Sequence, residues 1–123
     1  MLDPFMIAGV IMFLNACLHT FVGGKQIAQP VVENRTLPIA VRETMLYCWH
    51  VATWSLYASA IGFAYASWSG DSVWAVASGL VALGFAAIGV IRPLVRDVTY
   101  RVLPQGWLFV PVLMATLWGL LAG

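Results

Sequence analysis

The chain has 123 residues and a formal net charge of +1, and 62% of its residues are hydrophobic while 9% are charged. A typical soluble domain has about 25% charged residues, so this composition excludes an ordinary soluble domain. The small net charge also argues against a nucleic-acid partner, because such proteins carry a basic surface that neutralises phosphates. The length fits one domain, and we expect an integral membrane protein whose first partner is the lipid bilayer.

Four apolar stretches fill most of the chain, at residues 4–23, 48–69, 72–91 and 104–121. Each is close to the ~20 residues that an α-helix needs to cross a hydrocarbon core about 30 Å thick. Backbone polar groups find no water in that core, so a spanning segment must satisfy them internally, as a helix does. The sequence predicts an all-α fold, a four-helix transmembrane bundle that forms a single domain over residues 1–123.

The first helix is expected over residues 4–23. Asp3 is a typical N-cap, and Pro4 suits the first helical position. The segment before this helix has no basic residue, so we expect the helix to remain in the mature protein and not to act as a signal peptide. Gly23 and Gly24 are expected to end the helix and to begin a loop that lies near the membrane surface.

The remaining helices differ in length. The second helix is predicted over residues 38–69, longer than a membrane requires, with its charged beginning projecting from the bilayer. The third helix is predicted over residues 72–91. The fourth, over residues 104–121, should be kinked by Pro111.

Positive charge predicts the orientation. The six basic residues fall in two segments, Lys25, Arg35 and Arg42 after the first helix, and Arg92, Arg96 and Arg101 after the third. Because Lys and Arg are retained on the cytoplasmic side, we expect both segments inside the cell and both termini outside. The expected location is the inner (plasma) membrane of a bacterium.

Polar residues gather near the predicted cytoplasmic ends of the first two helices. Asn15 and His19 are four residues apart and share a helix face, and Glu43, Tyr47 and His50 follow helical spacing on the second helix. Antiparallel neighbours would bring the two histidines to a similar depth. Ionisable groups at membrane depth are costly, which indicates a function. The sequence therefore predicts a ligand-binding or ion-binding site from these five residues.

Two further chemistries remain open for these groups. His19 and His50 could ligate the iron of a haem b or hold a metal ion, although each could equally be an interfacial histidine satisfied by hydrogen bonds. Arg92, Arg96 and Arg101 could bind a phosphate or carboxylate, or they could contact anionic lipid headgroups.

Three functional hypotheses follow. The leading one is a binding or transport protein, or an accessory subunit of a membrane complex. Small residues at four-residue spacing indicate close helix packing and favour a homo-oligomer or a membrane-complex partner. The alternative is a haem-binding or metal-binding electron-transfer protein that uses His19 and His50. A small membrane enzyme is the third hypothesis, and it is the weakest because the chain has no nucleophile–base or phosphate-loop motif.

The orientation can be tested by cysteine-accessibility labelling in intact cells. Single cysteines placed within residues 25–35 or 92–101 should be protected from a membrane-impermeant reagent, whereas cysteines at residues 70–71 should react. The opposite pattern would mean that the basic residues do not orient this chain.

Overall fold

The structure, a computed structural model, describes residues 3–123. All secondary-structure elements in this range are helices, and no strand is present among these residues. The elements are α1 (Pro4–Cys17), a π-helix (Leu18–Ala28), α2 (Gln29–Glu33), α3 (Ile39–Ser69), α4 (Ser72–Val95), a 3₁₀ turn (Gln105–Phe109) and α5 (Val110–Ala122). The all-α prediction is confirmed.

Three helical segments are long and apolar enough to cross a membrane, judged by length and composition: Pro4–Glu33, Ser72–Val95 and Gln105–Ala122. In each of them, only 28% of an apolar stretch of 18 residues is buried inside the protein. Exposure of so much apolar surface is unfavourable in water, and these helices therefore indicate integration into a membrane. α3 has 31 residues but is not among the three, and its passage through the membrane stays a prediction.

The beginning of α1 follows the prediction. The Asp3 carboxylate accepts hydrogen bonds from the backbone N–H groups of Phe5 and Met6, at 2.8 and 3.0 Å. Pro4 occupies the first turn of the helix, where its missing N–H has no helical partner to lose. Asp3 is thus the N-cap of α1.

The expected end of the first helix was wrong. The chain stays helical through Gly23 and Gly24 and reaches Glu33, so residues 34–38 are the whole connection to α3. At the end of the π-helix the Gln29 N–H donates to the Gly24 carbonyl, five residues earlier. Pro30 follows in the first turn of α2, so the continuous helix lacks one backbone N–H donor where it changes from π to α.

The later helices also differ in detail from the prediction. α4 extends to Val95 and carries Arg92 and Pro93 within it. Pro111 lies in the first turn of α5, directly after the 3₁₀ turn. Pro111 therefore lies where the helix changes type, and the kink expected there stays a prediction.

The small residues lie where helices meet. α1 packs against α3 and α5, and α4 packs against the same two helices. Gly62 of α3 is buried, and a Cβ there would overlap the Ser78 hydroxyl of α4. Gly89 and Gly106 bring the backbones of α4 and the 3₁₀ turn together so closely that neither position has room for a Cβ. Backbones approach in this way when packing, and not exclusion of water, holds membrane helices together.

Not every small residue is used inside the chain. A Cβ at Gly84 of α4 would meet nothing within 4 Å. Contacts within one chain do not test whether a second copy or a membrane partner packs against this protein. That expectation stays a prediction.

The contrast between two glycines tests the packing. Gly62→Leu should lower the free energy of unfolding in detergent by about 1–3 kcal/mol, the usual cost of an overpacked core, because the new side chain must push α4 away. Gly84→Leu is the matched control, since it makes the same exchange at an open site. Equal thermal unfolding midpoints for the two variants would show that α3 and α4 do not approach at Gly62.

Candidate functional site

A cavity of about 430 Å³ lies between the first helical segment, α3 and the α4–α5 connection. This volume is within the range of about 300–1,000 Å³ found for small-molecule sites. Its polar lining residues are Asn15, His19, Gln26, Arg101 and Gln105. Its apolar lining includes Leu18, Val22, Leu56, Phe85 and Phe109. The cavity is thus mostly apolar, with a few polar groups, as ligand sites commonly are.

His19 is held at the wall of the cavity by a hydrogen bond to α3. Its Nε2 lies 3.0 Å from the Thr53 hydroxyl oxygen, and that hydroxyl donates to the Trp49 carbonyl at 2.9 Å. Since Thr53 has one hydroxyl hydrogen, the His19 Nε2–H must be the donor to Thr53. We assign the neutral ring this tautomer, in which Nδ1 is an acceptor.

Trp49 fixes the plane of the same imidazole. The two rings are stacked, with centroids 3.9 Å apart and an interplanar angle of 17°. The indole also lies directly over the backbone of the π-helix, because a Cβ at Gly23 would be 2.8 Å from Trp49 Cη2. Glycine at this position therefore allows Trp49 to reach His19.

Asn15 connects the first helix to the opposite wall. It is 7% exposed, and its side-chain nitrogen donates to the Leu108 carbonyl at 2.7 Å. This bond holds the 3₁₀ turn against α1. In the same cavity, Phe85 and Phe109 stack with ring centroids 5.0 Å apart and form part of its apolar lining.

The α4–α5 connection brings Arg101 to the cavity. The Tyr100 hydroxyl donates to the Val90 carbonyl at 2.9 Å, and the N–H of Val102 donates to the Thr99 carbonyl at 3.0 Å. The first bond ties the connection to α4, and the second closes a turn within the connection around Arg101. Because Arg101 is exposed as a whole residue, its guanidinium is available to a ligand at the mouth.

The structure brings together only part of the predicted site. Asn15 and His19 line the cavity. Glu43, Tyr47 and His50 are exposed residues of α3 and do not belong to its lining. Glu43 pairs instead with its neighbour on α3, at 3.3 Å from Nε of Arg42 to Oε1.

The two histidines have different surroundings. His19 is bonded to Thr53 and stacked on Trp49, whereas His50 is exposed. Within residues 3–123, no three His, Cys, Asp or Glu side chains are gathered so that they could hold a metal ion. A haem or metal site that uses both histidines stays a prediction, and the observed contacts of His19 do not depend on it.

The three arginines of the second basic segment also separate. Arg101 lines the cavity, and Arg92 lines a neighbouring groove between α4 and the 3₁₀ turn. Arg96 follows the last residue of α4 and is exposed. Only Arg101 is positioned to act on a ligand in the cavity.

Three cavity residues were not predicted from the sequence: Gln26, Trp49 and Gln105. Gln26 lies seven residues after His19, on the helical spacing that already linked His19 to Asn15. Extending the first helix beyond Gly23 would have identified it. Nothing in the local sequence marks Gln105, which reaches the cavity because its turn packs against α1 through Asn15.

Comparisons of this chain with models of protein families, with curated proteins and with solved structures found no match.

Substitutions at two adjacent glycines test the contact between the Trp49 indole and the backbone at Gly23. Gly24→Ala should raise the free energy of unfolding by up to about 1 kcal/mol, because alanine favours a helix and the new Cβ meets nothing within 4 Å. Gly23→Ala gains the same preference but must displace Trp49, so it should be less stable than Gly24→Ala by about 1 kcal/mol or more. The measurement is thermal unfolding in detergent, and equal stabilisation by both substitutions would contradict the contact.

Proposed function

We propose that this protein is a four-helix transmembrane bundle that binds a small ligand in the cavity between its first helical segment, α3 and the α4–α5 connection. In this proposal α3 is the fourth span. The end of the bundle that contains the cavity faces the cytoplasm of a bacterial cell. The protein serves as a binding or transport protein, alone or as a subunit of a membrane complex.

The observation that carries the proposal is the convergence of polar groups from distant parts of the chain on one apolar cavity. Asn15 and Gln26 come from the first helical segment and Arg101 from the α4–α5 connection, yet all line the same space of about 430 Å³. Polar groups that converge on a concave apolar pocket are the usual sign of a ligand site. Asn15 and His19 are satisfied by hydrogen bonds within the protein, whereas Gln26, Arg101 and Gln105 are exposed residues of the same lining, and these three supply the polar groups for a ligand.

The antiparallel order of the helices supports the four-span arrangement. α3 and α4 are joined by a tight turn in which Gly70 has a φ of 74° and Asp71 caps the next helix. Two helices joined so tightly must run side by side, and α4 has the composition of a span. α3, packed between α1 and α4, then crosses the same layer.

The charge distribution supports the orientation. Lys25 precedes Gln26, which lines the cavity, and Arg101 lines it directly, so the two basic segments lie at one end of the molecule. The positive-inside rule assigns such an end to the cytoplasm.

Native mass spectrometry tests ligand binding directly. Protein extracted from membranes in lipid nanodiscs should carry a bound small molecule, detected as a defined mass increase after release from the lipid. Val22→Trp fills the cavity from the π-helix and should remove that molecule. Phe21→Trp is the matched control, because Phe21 is 67% exposed and does not line the cavity.

The proposal fails if Val22→Trp and Phe21→Trp retain the same bound molecule. It also fails if the unmodified protein carries none and gains no thermal stability from any added amphiphile, since a ligand that binds the native state must stabilise it.

A further inference from the structure

The cavity has a polar mouth and an apolar floor. Gln26, Arg101 and Gln105 are exposed residues of its outer part, beside the exposed apolar residues Ile27 and Val102. Leu56 and Phe109 are 1% and 5% exposed and lie deeper between the helices. A ligand that satisfies both regions must be amphipathic, with a polar head at the mouth and an apolar body below it.

The sign of the charge at the mouth specifies the head. Among the described residues that line the cavity, Arg101 is the only one that carries a full charge at neutral pH when His19 is neutral, and no acidic residue lines it. A planar guanidinium matches a carboxylate or phosphate through paired, charge-assisted hydrogen bonds. The side-chain amides of Gln26 and Gln105 add neutral donors.

The surrounding charges favour the same sign. The segments at the cavity end carry all six basic residues and three of the five acidic ones, whereas the other two acids, Asp3 and Asp71, belong to the opposite end. Such a distribution attracts anions to the cavity end and repels cations from it.

We propose that the ligand is an acidic amphiphile, an inference that rests on the proposed function. Its carboxylate or phosphate head binds Arg101 with the amides of Gln26 and Gln105, and its apolar body lies against Leu56 and Phe109. This chemistry is shared by a free single-chain acid in the membrane and by the headgroup of an anionic phospholipid.

The test uses the full chain in nanodiscs of zwitterionic phosphatidylcholine, with amphiphiles of one chain length. Dodecanoate and dodecyl phosphate are the anionic probes, dodecanol is neutral, and dodecyltrimethylammonium is cationic. Apparent affinities come from the dependence of the thermal unfolding midpoint on probe concentration. The anionic probes should bind at least about tenfold more tightly than the other two, which corresponds to one charge-assisted hydrogen bond.

Two arginine variants locate the effect. Arg101→Gln should remove the preference for anionic probes, with a loss of affinity of about tenfold or more. Arg96→Gln removes the same charge from an exposed residue that does not line the cavity, and it should leave the preference intact. Arg101→Lys should recover only part of it, because lysine provides a point charge and not a planar fork.

The outcomes distinguish a failure of this inference from a failure of the proposed function. If dodecanol binds as tightly as dodecanoate, and Val22→Trp abolishes both, the cavity binds ligands but the acidic head is wrong. Equal losses in Arg101→Gln and Arg96→Gln would also overturn the assignment to Arg101. If no probe stabilises the protein, the proposed function itself fails.

A last arm distinguishes the two sources of the acid. Nanodiscs that contain phosphatidic acid should weaken dodecanoate binding if a phospholipid headgroup occupies the site. Unchanged binding in those nanodiscs would identify a free single-chain acid as the ligand class.

Discussion

The seat of the Trp49 indole on the backbone at Gly23 is the contact on which the rest of the cavity depends. It lets a helix that contains two consecutive glycines continue, because the indole covers the bare backbone on the α3 side. The same indole stacks on His19 and orients its ring toward Thr53. The same segment is also tied to α3 by the bonds of His19 to Thr53 and of Thr20 to Tyr57, but the Trp49 contact is the one that covers the glycine backbone.

A π-helix in this segment has a physical consequence for the site. Hydrogen bonds that reach five residues back widen the helix, and such departures are frequent at functional sites. Here the widened segment Leu18–Ala28 supplies one wall of the cavity, while the α-helical segment before it packs tightly against α3 and α5. The bundle is therefore close-packed in its middle and opens at one end.

Membrane packing explains where the cavity stops. Gly89 of α4 and Gly106 of the 3₁₀ turn bring two backbones together, and Asn15 ties the same turn to α1. These contacts seal the side of the cavity nearest to α5. Phe85 and Phe109 stack on each other and line the apolar part of the cavity.

Much of the fold could be predicted from the sequence, since it depends on local signals. The cap at Asp3, the turn at Gly70 and the extent of α3 all follow from residue type and hydrophobic pattern. The continuation past Gly23 could not be predicted in this way, because glycine normally ends a helix and the contact that opposes this comes from Trp49, 26 positions later in the chain.

The candidate site was predicted only in part for a similar reason. Asn15 and His19 share a face by spacing alone, and that pairing is present in the cavity. Whether His50 faces the same space depends on how α3 is rotated about its axis, which spacing within one helix does not determine. Arg101 was identified as an anion-binding candidate, but its position at the cavity depends on the folded connection held by Tyr100.

A density map of the protein in a lipid nanodisc, at a resolution that shows side chains, tests the central claim most directly. The account predicts continuous helical density from Pro4 to Glu33, the Trp49 indole between Gly23 and His19, and elongated density of a ligand beside Arg101. A first helix that ends at Gly23, with residues 24–37 forming a loop and no space enclosed beside His19, would contradict it.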